Sequence, residues 1–169
     1  MSTTTVPHDN TLHRPDTDAV IRSIAKRSYA TLATTSDAGR PHVAGVLYEY
    51  VDDALYVSTL RNSRKARNVA STPHAAVVVP IRRVPVGGPP SAVQFQGRAE
   101  LLGAGSPEIA TLVADGKLGS ITGHGELDLP DGCFIRVEVP ARLHTYGLGM
   151  SLMTLVRDPL GAAGLVERV

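Results

Sequence analysis

From Tyr29 onward the sequence is cut into short runs of strand-forming residues separated by Gly, Pro, Asp and Ser, and no helical pattern extends beyond a few turns. Tyr29–Thr35 (YATLATT) is rich in β-formers, and Ser36-Asp37-Ala38-Gly39 supplies the turn that follows. His42–Tyr50 is a second run, and Asp52-Asp53 begins a tight connection to a third, Leu55–Thr59. Their closeness predicts an antiparallel meander. Ala75–Pro80 (AAVVVP) is continuously apolar, the pattern of a strand buried on both faces. Ala92–Leu102 alternates, with Gln94, Gln96, Arg98 and Glu100 on one face and Val93, Phe95, Ala99 and Leu101 on the other. Phe134–Val139 is the last clear strand, and Arg142–Tyr146 extends it past Pro140. Six strands with little βαβ alternation predict a mainly-β (α+β) chain, and a small antiparallel barrel hides its sheet edges.

The remaining segments flank that sheet. Residues 1–15 lack periodicity and read as a mobile arm. Asp16 or Thr17 caps a helix that places Val20, Ile21 and Ile24 on one face and ends near Arg27. A short helix over Ser63–Ala70 turns Ala66, Val69 and Ala70 inward, and Pro73 ends it. Pro107–Asp115 predicts another. Arg82–Pro90 is a Pro/Gly loop, and Gly116–Gly132 carries many glycines and no clear pattern. The tail from Gly147 reads as a segment wrapped on the barrel or on a partner chain. The expected organisation is an arm over 1–15, one domain over 16–146 and a packed segment over 147–169.

Composition removes several functions. A chain of 169 residues with formal net charge +1 exerts no global attraction for nucleic acid, and 4% aromatics with no Trp offers no stacking platform for single strands. The single Cys133 excludes an internal disulfide, and no His, Cys and carboxylate spacing matches a metal site. No apolar run reaches the roughly 18–20 residues of a membrane span. The polar start MSTTTVPHDN has no signal-peptide core, so the expected compartment is the cytoplasm.

Positive charge is concentrated in one place. Arg61, Arg64, Lys65 and Arg67 surround the predicted helix start at Ser63, directly after the strand Leu55–Thr59. A helix N-terminus carries unpaired N–H groups and partial positive charge, so cations in its first turn cost about 0.3–1 kcal/mol each. A bound phosphate removes that cost and gains the N–H donors, and Ser63 can both cap the helix and donate to a phosphate oxygen.

The pattern from Tyr29 to Pro80 resembles the pyridoxamine 5'-phosphate oxidase-like, FMN-binding split-barrel superfamily. The matching segments are LATTSDAGRPHV, VLYEY, LYVST, NSRKARNVASTP and AAVVVP, with QGRAELL and VEVPARLHTYG following more weakly. The resemblance implies a homodimer of six-stranded antiparallel split β-barrels with FMN at the interface and a small-molecule substrate. It implies that Arg64 and Lys65 bind the phosphate, with Ser63 beside them, and that Ser58 and Thr59 lie by the ribityl chain. Val46 and Leu47 would offer backbone groups to the ring, and Arg67 and Asn68 would border the anion pocket. It assigns no catalytic residue, because such sites draw protons from solvent. A branch of the superfamily uses the deazaflavin coenzyme F-420 on the same fold, and a non-catalytic flavin or haem carrier is a further reading.

The chain departs from the oxidase proper. Ala44 and Ala92 stand where that enzyme has Arg and Gln, and Arg142-Leu143-His144 falls too early in the chain for its Arg-x-His motif. Oxidation of vitamin B6 is therefore not expected. Among the other residues, His42 reads as a plain strand histidine and His124 as an exposed loop histidine. His144 is the best-placed imidazole for a haem iron, with haem ranked behind both flavins. Cys133 reads as a buried small hydrophobe, and of Tyr48 and Tyr50 at least one belongs in the core.

Overall fold

The computed structural model describes residues 12–81, 90–123 and 125–168. All but Pro90 of the predicted loop over Arg82–Pro90, most of the arm over 1–15, and His124 lie outside the described residues. The chain forms β1 (Tyr29–Thr35), β2 (Pro41–Leu47), β3 (Glu49–Val51), β4 (Ala54–Leu60), β5 (His74–Pro80), β6 (Ala92–Gly103), β7 (Gly132–Glu138), β8 (Arg142–Tyr146) and β9 (Ala163–Glu167). The helices are α1 (Thr17–Ala25), α2 (Arg64–Ser71), α3 (Pro107–Ala114), α4 (Gly119–Thr122) and α5 (Leu152–Arg157). The result is an antiparallel sheet curled into a split barrel, with nine strands in place of the six expected.

Hydrogen-bonded order along the sheet is β2-β1-β5-β6-β7-β4-β3, with β8 on β6 and β9 on β8. The expected meander keeps its antiparallel pairings but is split in two at Tyr48. β1 and β2 form one hairpin and β3 and β4 another, but β4 pairs with β7, so the two hairpins end at opposite limits of the sheet. Two strands account for this geometry. β6 is long enough to pair with β5 from Ala92 to Arg98 and then with β7 from Ala99 to Gly103. The predicted strand over His42–Tyr50 breaks at Tyr48, which is fully buried and donates its hydroxyl to the Ile24 carbonyl of α1 at 2.7 Å. Tyr48 N–H bonds to the Ser28 carbonyl at 2.8 Å, and β3 begins at the next residue.

Burial corrects a second expectation. β5 is not buried on both faces: Ala75, Val77 and Val79 face the interior, while Val78 and Pro80 are exposed. β4 is buried on both faces: Leu55 and Val57 enter the barrel core, while Ala54 and Tyr56 pack outward under α3 and α4 with Ile109, Leu118 and Ile121. Length and β-propensity cannot separate these two apolar runs; what differs is whether a helix covers the outer face. β6 alternates as predicted, and Cys133 is 1% exposed.

The helices follow local rules. Asp16 caps α1, accepting from Ala19 N–H at 2.7 Å, and Val20 and Ile24 are its buried residues. Ser63 caps α2 in the same way through Ala66 N–H. Ala70, expected inward, is exposed, and Asn68, on the opposite side of the helix from it, is buried. The Gly116–Gly132 segment, which showed no pattern, contains α4 and a 3-10 turn at Glu126–Asp128. The tail forms α5 and then β9, which pairs with β8, and His13 bridges to Gly164 on the far edge of β9. No helix among the described residues is long and apolar enough to cross a membrane.

Candidate functional site

A split barrel leaves a seam where its end strands fail to pair. Among the described residues β2 bonds only to β1, so its other edge has no strand partner there and faces β4 across the split. Ser58 lies near the end of β4, and the connection Leu60–Ser63 swings the chain into α2, whose first turn closes one end of the seam. A cavity of about 220 Å³ results, lined by Gly45, Val46, Leu47, Ser58, Lys65, Ser120 and Ile121.

Four of the nine residues singled out in the sequence meet there: Val46, Leu47, Ser58 and Lys65. Val46 is buried, Leu47 is 58% exposed, and Ser58 and Lys65 are half-buried. Thr59 and Ser63 sit just outside, joined by a 3.1 Å hydroxyl–hydroxyl hydrogen bond that ties the end of β4 to the α2 cap. Arg64 and Arg67 are exposed on α2 and do not line the cavity. Asn68 is turned the other way: it is 6% exposed, and its Nδ2 donates to Thr34 Oγ1 at 3.0 Å, so it anchors α2 to β1.

The electrostatics are one-sided. The first turn of α2 has no acidic residue. None of Arg61, Arg64, Lys65 or Arg67 forms an ion pair among the described residues, whereas Arg22, Lys117, Arg136, Arg142 and Arg168 all do. Arg61 and Lys65 are close enough to Cys133 to oppose the rise that burial imposes on its thiol. An uncompensated lysine beside free helical N–H groups and a hydroxyl is an anion-binding arrangement. The wall of Val46, Leu47 and Ile121 suits an apolar ring. This donor set fits a group that joins an aromatic ring to a phosphate.

The other histidine and arginine candidates lie elsewhere. An open groove of about 530 Å³ runs over the outer face of β5, β6 and β8, lined in part by Ala76, Val78, Gln94, Gln96 and His144. His144 is exposed. Arg142, at the edge of that groove, donates to Glu167 Oε1 from Nε at 3.0 Å and from Nη2 at 2.6 Å, so its guanidinium is committed to β9. His42 is half-buried on β2, in register with Thr34. No group of His, Cys, Asp and Glu among the described residues could hold a metal ion.

Sequence reasoning missed Gly45, Ser120 and Ile121. Gly45 could have been found, since it stands beside Val46 and a side chain there would meet the Tyr29 hydroxyl at 2.6 Å. Ser120 and Ile121 carry no local signal, because the glycine-rich segment around them has no period.

The family described as Pyridoxamine 5'-phosphate oxidase matches residues 17–139. No curated protein matches the sequence. Solved structures with a similar fold include a haem storage protein of Vibrio cholerae, at 19% identity and TM-score 0.63 over 75% of this chain and 92% of that one. An FAD-binding protein of Mesorhizobium loti matches at 20% identity and TM-score 0.60, covering 77% of this chain and 93% of its own. A pyridoxamine 5'-phosphate oxidase-related, FMN-binding protein of Nostoc punctiforme matches at 17% identity and TM-score 0.53, over 76% and 78% of the two chains. At these identities the common property is the fold.

Proposed function

Because the chain belongs to the pyridoxamine 5'-phosphate oxidase family, we propose that it is a flavin-type oxidoreductase that binds FMN in the seam cavity and acts on a small organic substrate. The observation that carries this reading is the convergence of β2, β4 and α2 on one cavity whose only cation, Lys65, has no carboxylate partner among the described residues. A bound flavin supplies hydride or electron transfer; the protein supplies binding and electrostatics. Lys65 would neutralise the phosphate and Ser58 would donate to it or to the adjoining hydroxyl chain. Val46, Leu47 and Ile121 would exclude water from the ring. Vitamin B6 is not the proposed substrate: Arg142 is held by Glu167, and Ala44 and Ala92 carry no polar group to the site.

The functional unit proposed is a homodimer. Cofactor-sized sites span about 300–1,000 Å³, and the cavity of one chain is about 220 Å³. A second copy is the proposed source of the missing wall. Strand register places Tyr29, Thr31, Val43, Leu47 and Val78 on one outward face that reaches the cavity mouth. There Tyr29, Val43, Leu47 and Val78 are 49%, 60%, 58% and 38% exposed. An exposed apolar face of this extent is the mark of an association surface. A second copy seated on it would bury these residues and enclose the cofactor.

A haem-binding reading has one observation in its favour, the exposed imidazole of His144 at the end of the large groove. Against it, the arginine beside His144 is committed to Glu167 and so is not free for a propionate. One experiment separates the readings: titrate the purified protein with FMN, coenzyme F-420 and haem, and measure its mass by sedimentation. The expected result is a dimer that binds FMN. Lys65→Ala should weaken binding about 10- to 100-fold, the range for one charge-assisted hydrogen bond, and Arg64→Ala much less. Equal FMN affinity in Lys65→Ala and wild type refutes the site. Tight F-420 binding without FMN binding keeps the site and changes the cofactor. Haem binding lost in His144→Ala favours the carrier.

A further inference from the structure

The cavity wall formed by α4 is held by a long-range contact. α4 is a single turn, too short to be stable by itself, and its N-cap residue, Leu118, makes no side-chain capping bond. The acceptor comes from 71 positions earlier: the backbone N–H of Ser120 donates to Glu49 Oε1 at 3.2 Å. Glu49 opens β3, so the β3–β4 hairpin reaches across to the helix that walls the seam. Just before α4, Lys117 Nζ lies 3.4 Å from Asp115 Oδ2 and 3.9 Å from Asp52 Oδ2 in the turn of the same hairpin. Glycines bracket α4 at Gly116, Gly119, Gly123 and Gly125, and Gly116 and Gly125 have φ of +70° and +86°. A backbone this permissive loses more entropy on ordering than most, so each tie that orders it matters more.

We propose that Glu49 is a positioning residue: by accepting the Ser120 N–H it sets α4, and with it Ser120 and Ile121, as the wall of the cavity. The inference rests on the reading of that cavity as a flavin site. Leu118 and Ile121 anchor the buried side of α4 in the cluster under β4, which fixes its depth. The Glu49 contact lies on the exposed side and fixes its rotation. Its loss leaves Ser120 N–H to water and leaves the core intact, so the effect falls on the cavity and little on global stability.

The test compares Glu49→Ala, Glu49→Gln and Lys65→Ala by FMN affinity and dissociation rate, and by hydrogen exchange at Ser120 in the protein without added flavin. Glu49→Ala is expected to weaken FMN binding about three- to tenfold, the net effect of one hydrogen bond, chiefly through faster dissociation, and to speed exchange at Ser120 by a similar factor. Glu49→Gln keeps an acceptor and is expected to restore both. Lys65→Ala is expected to weaken binding without changing exchange at Ser120. Unchanged exchange in Glu49→Ala overturns the proposal, as does faster exchange with unchanged FMN affinity. A wild-type protein that binds no flavin overturns the cofactor reading, and exchange at Ser120 then decides alone whether Glu49 holds the wall.

Discussion

Replacing Gly97 with alanine should damage the fold at the point where it divides. Gly97 lies on β6 opposite Ala75 of β5, two residues before β6 transfers its pairing to β7 at Ala99. An added Cβ would stand 2.0 Å from the Glu138 carbonyl oxygen, 3.2 Å from its carbon and 3.3 Å from Val137 Cγ1. The first two atoms are backbone and cannot swing aside. Relief requires β6 and the end of β7 to separate by about 1 Å, and the next residue is pinned by the bond from Val139 N–H to the Asp53 carbonyl at 2.9 Å. Overpacking of this kind costs about 1–3 kcal/mol, and a weakened ladder bond adds about 1 kcal/mol. The φ of Gly97 lies outside the left-handed region, so no conformational strain is added. The smaller entropy of an unfolded alanine offsets about 0.4–1 kcal/mol. The net expectation is a loss of about 1–3.5 kcal/mol, measured by urea unfolding with linear extrapolation. Gly105→Ala is the control, since its Cβ would meet nothing within 4 Å, and it should stay within about 0.5 kcal/mol of wild type. Indistinguishable midpoints for the two variants would refute the account of β6 as a strand forced close to the Glu138 backbone.

Two further outcomes test the anchoring of the site and the pH limits of the fold. Asn68→Ala removes the buried bond to Thr34 and should cost about 1–3 kcal/mol, while FMN affinity changes far less than in Lys65→Ala; the reverse ranking would return Asn68 to the anion pocket. Burial raises the Tyr48 phenol well above its ordinary value, and burial together with a neighbouring carboxylate raises Tyr50 and Tyr56 to about 12. These groups ionise in the unfolded chain from about pH 10 while the folded chain keeps its protons, so stability should fall as pH rises beyond that point. At the acid limit Arg168 and Tyr50 hold the Asp53 carboxyl below its usual range. Its contribution is complete above the unfolded value near pH 4 and is lost as pH falls through the lower folded value. Tyr48→Phe should flatten the alkaline limb of a pH–stability profile and Asp53→Asn the acid limb; limbs that stay parallel to wild type would discount these groups.

What the sequence disclosed depended on how local each cause is. The alternation of β6, the Asp16 and Ser63 caps and the charge cluster at α2 follow from neighbouring residues, and each is readable as a period or a cap. The meeting of Val46, Leu47, Ser58 and Lys65 is not local. It came from the family resemblance, because nothing in spacing alone says that β2 and β4 face each other across a split. Two errors expose the same limit. AAVVVP reads as doubly buried, but among the described residues no helix covers the outer face of β5, whereas α3 and α4 cover β4. His42–Tyr50 reads as one strand, but it divides at Tyr48, whose buried side chain bonds to α1. In each case the deciding partner lies far along the chain. The cavity obeys the same rule in the wall that α4 forms: Ser120 N–H bonds to Glu49, and neither residue has a local pattern that points to the other. Residues that govern such a site from outside its motifs are therefore to be sought among hydrogen bonds of long sequence separation that end on the segments lining it. By that criterion Glu49 ranks ahead of Arg64 and Arg67, although both arginines stand within the motif and Glu49 does not.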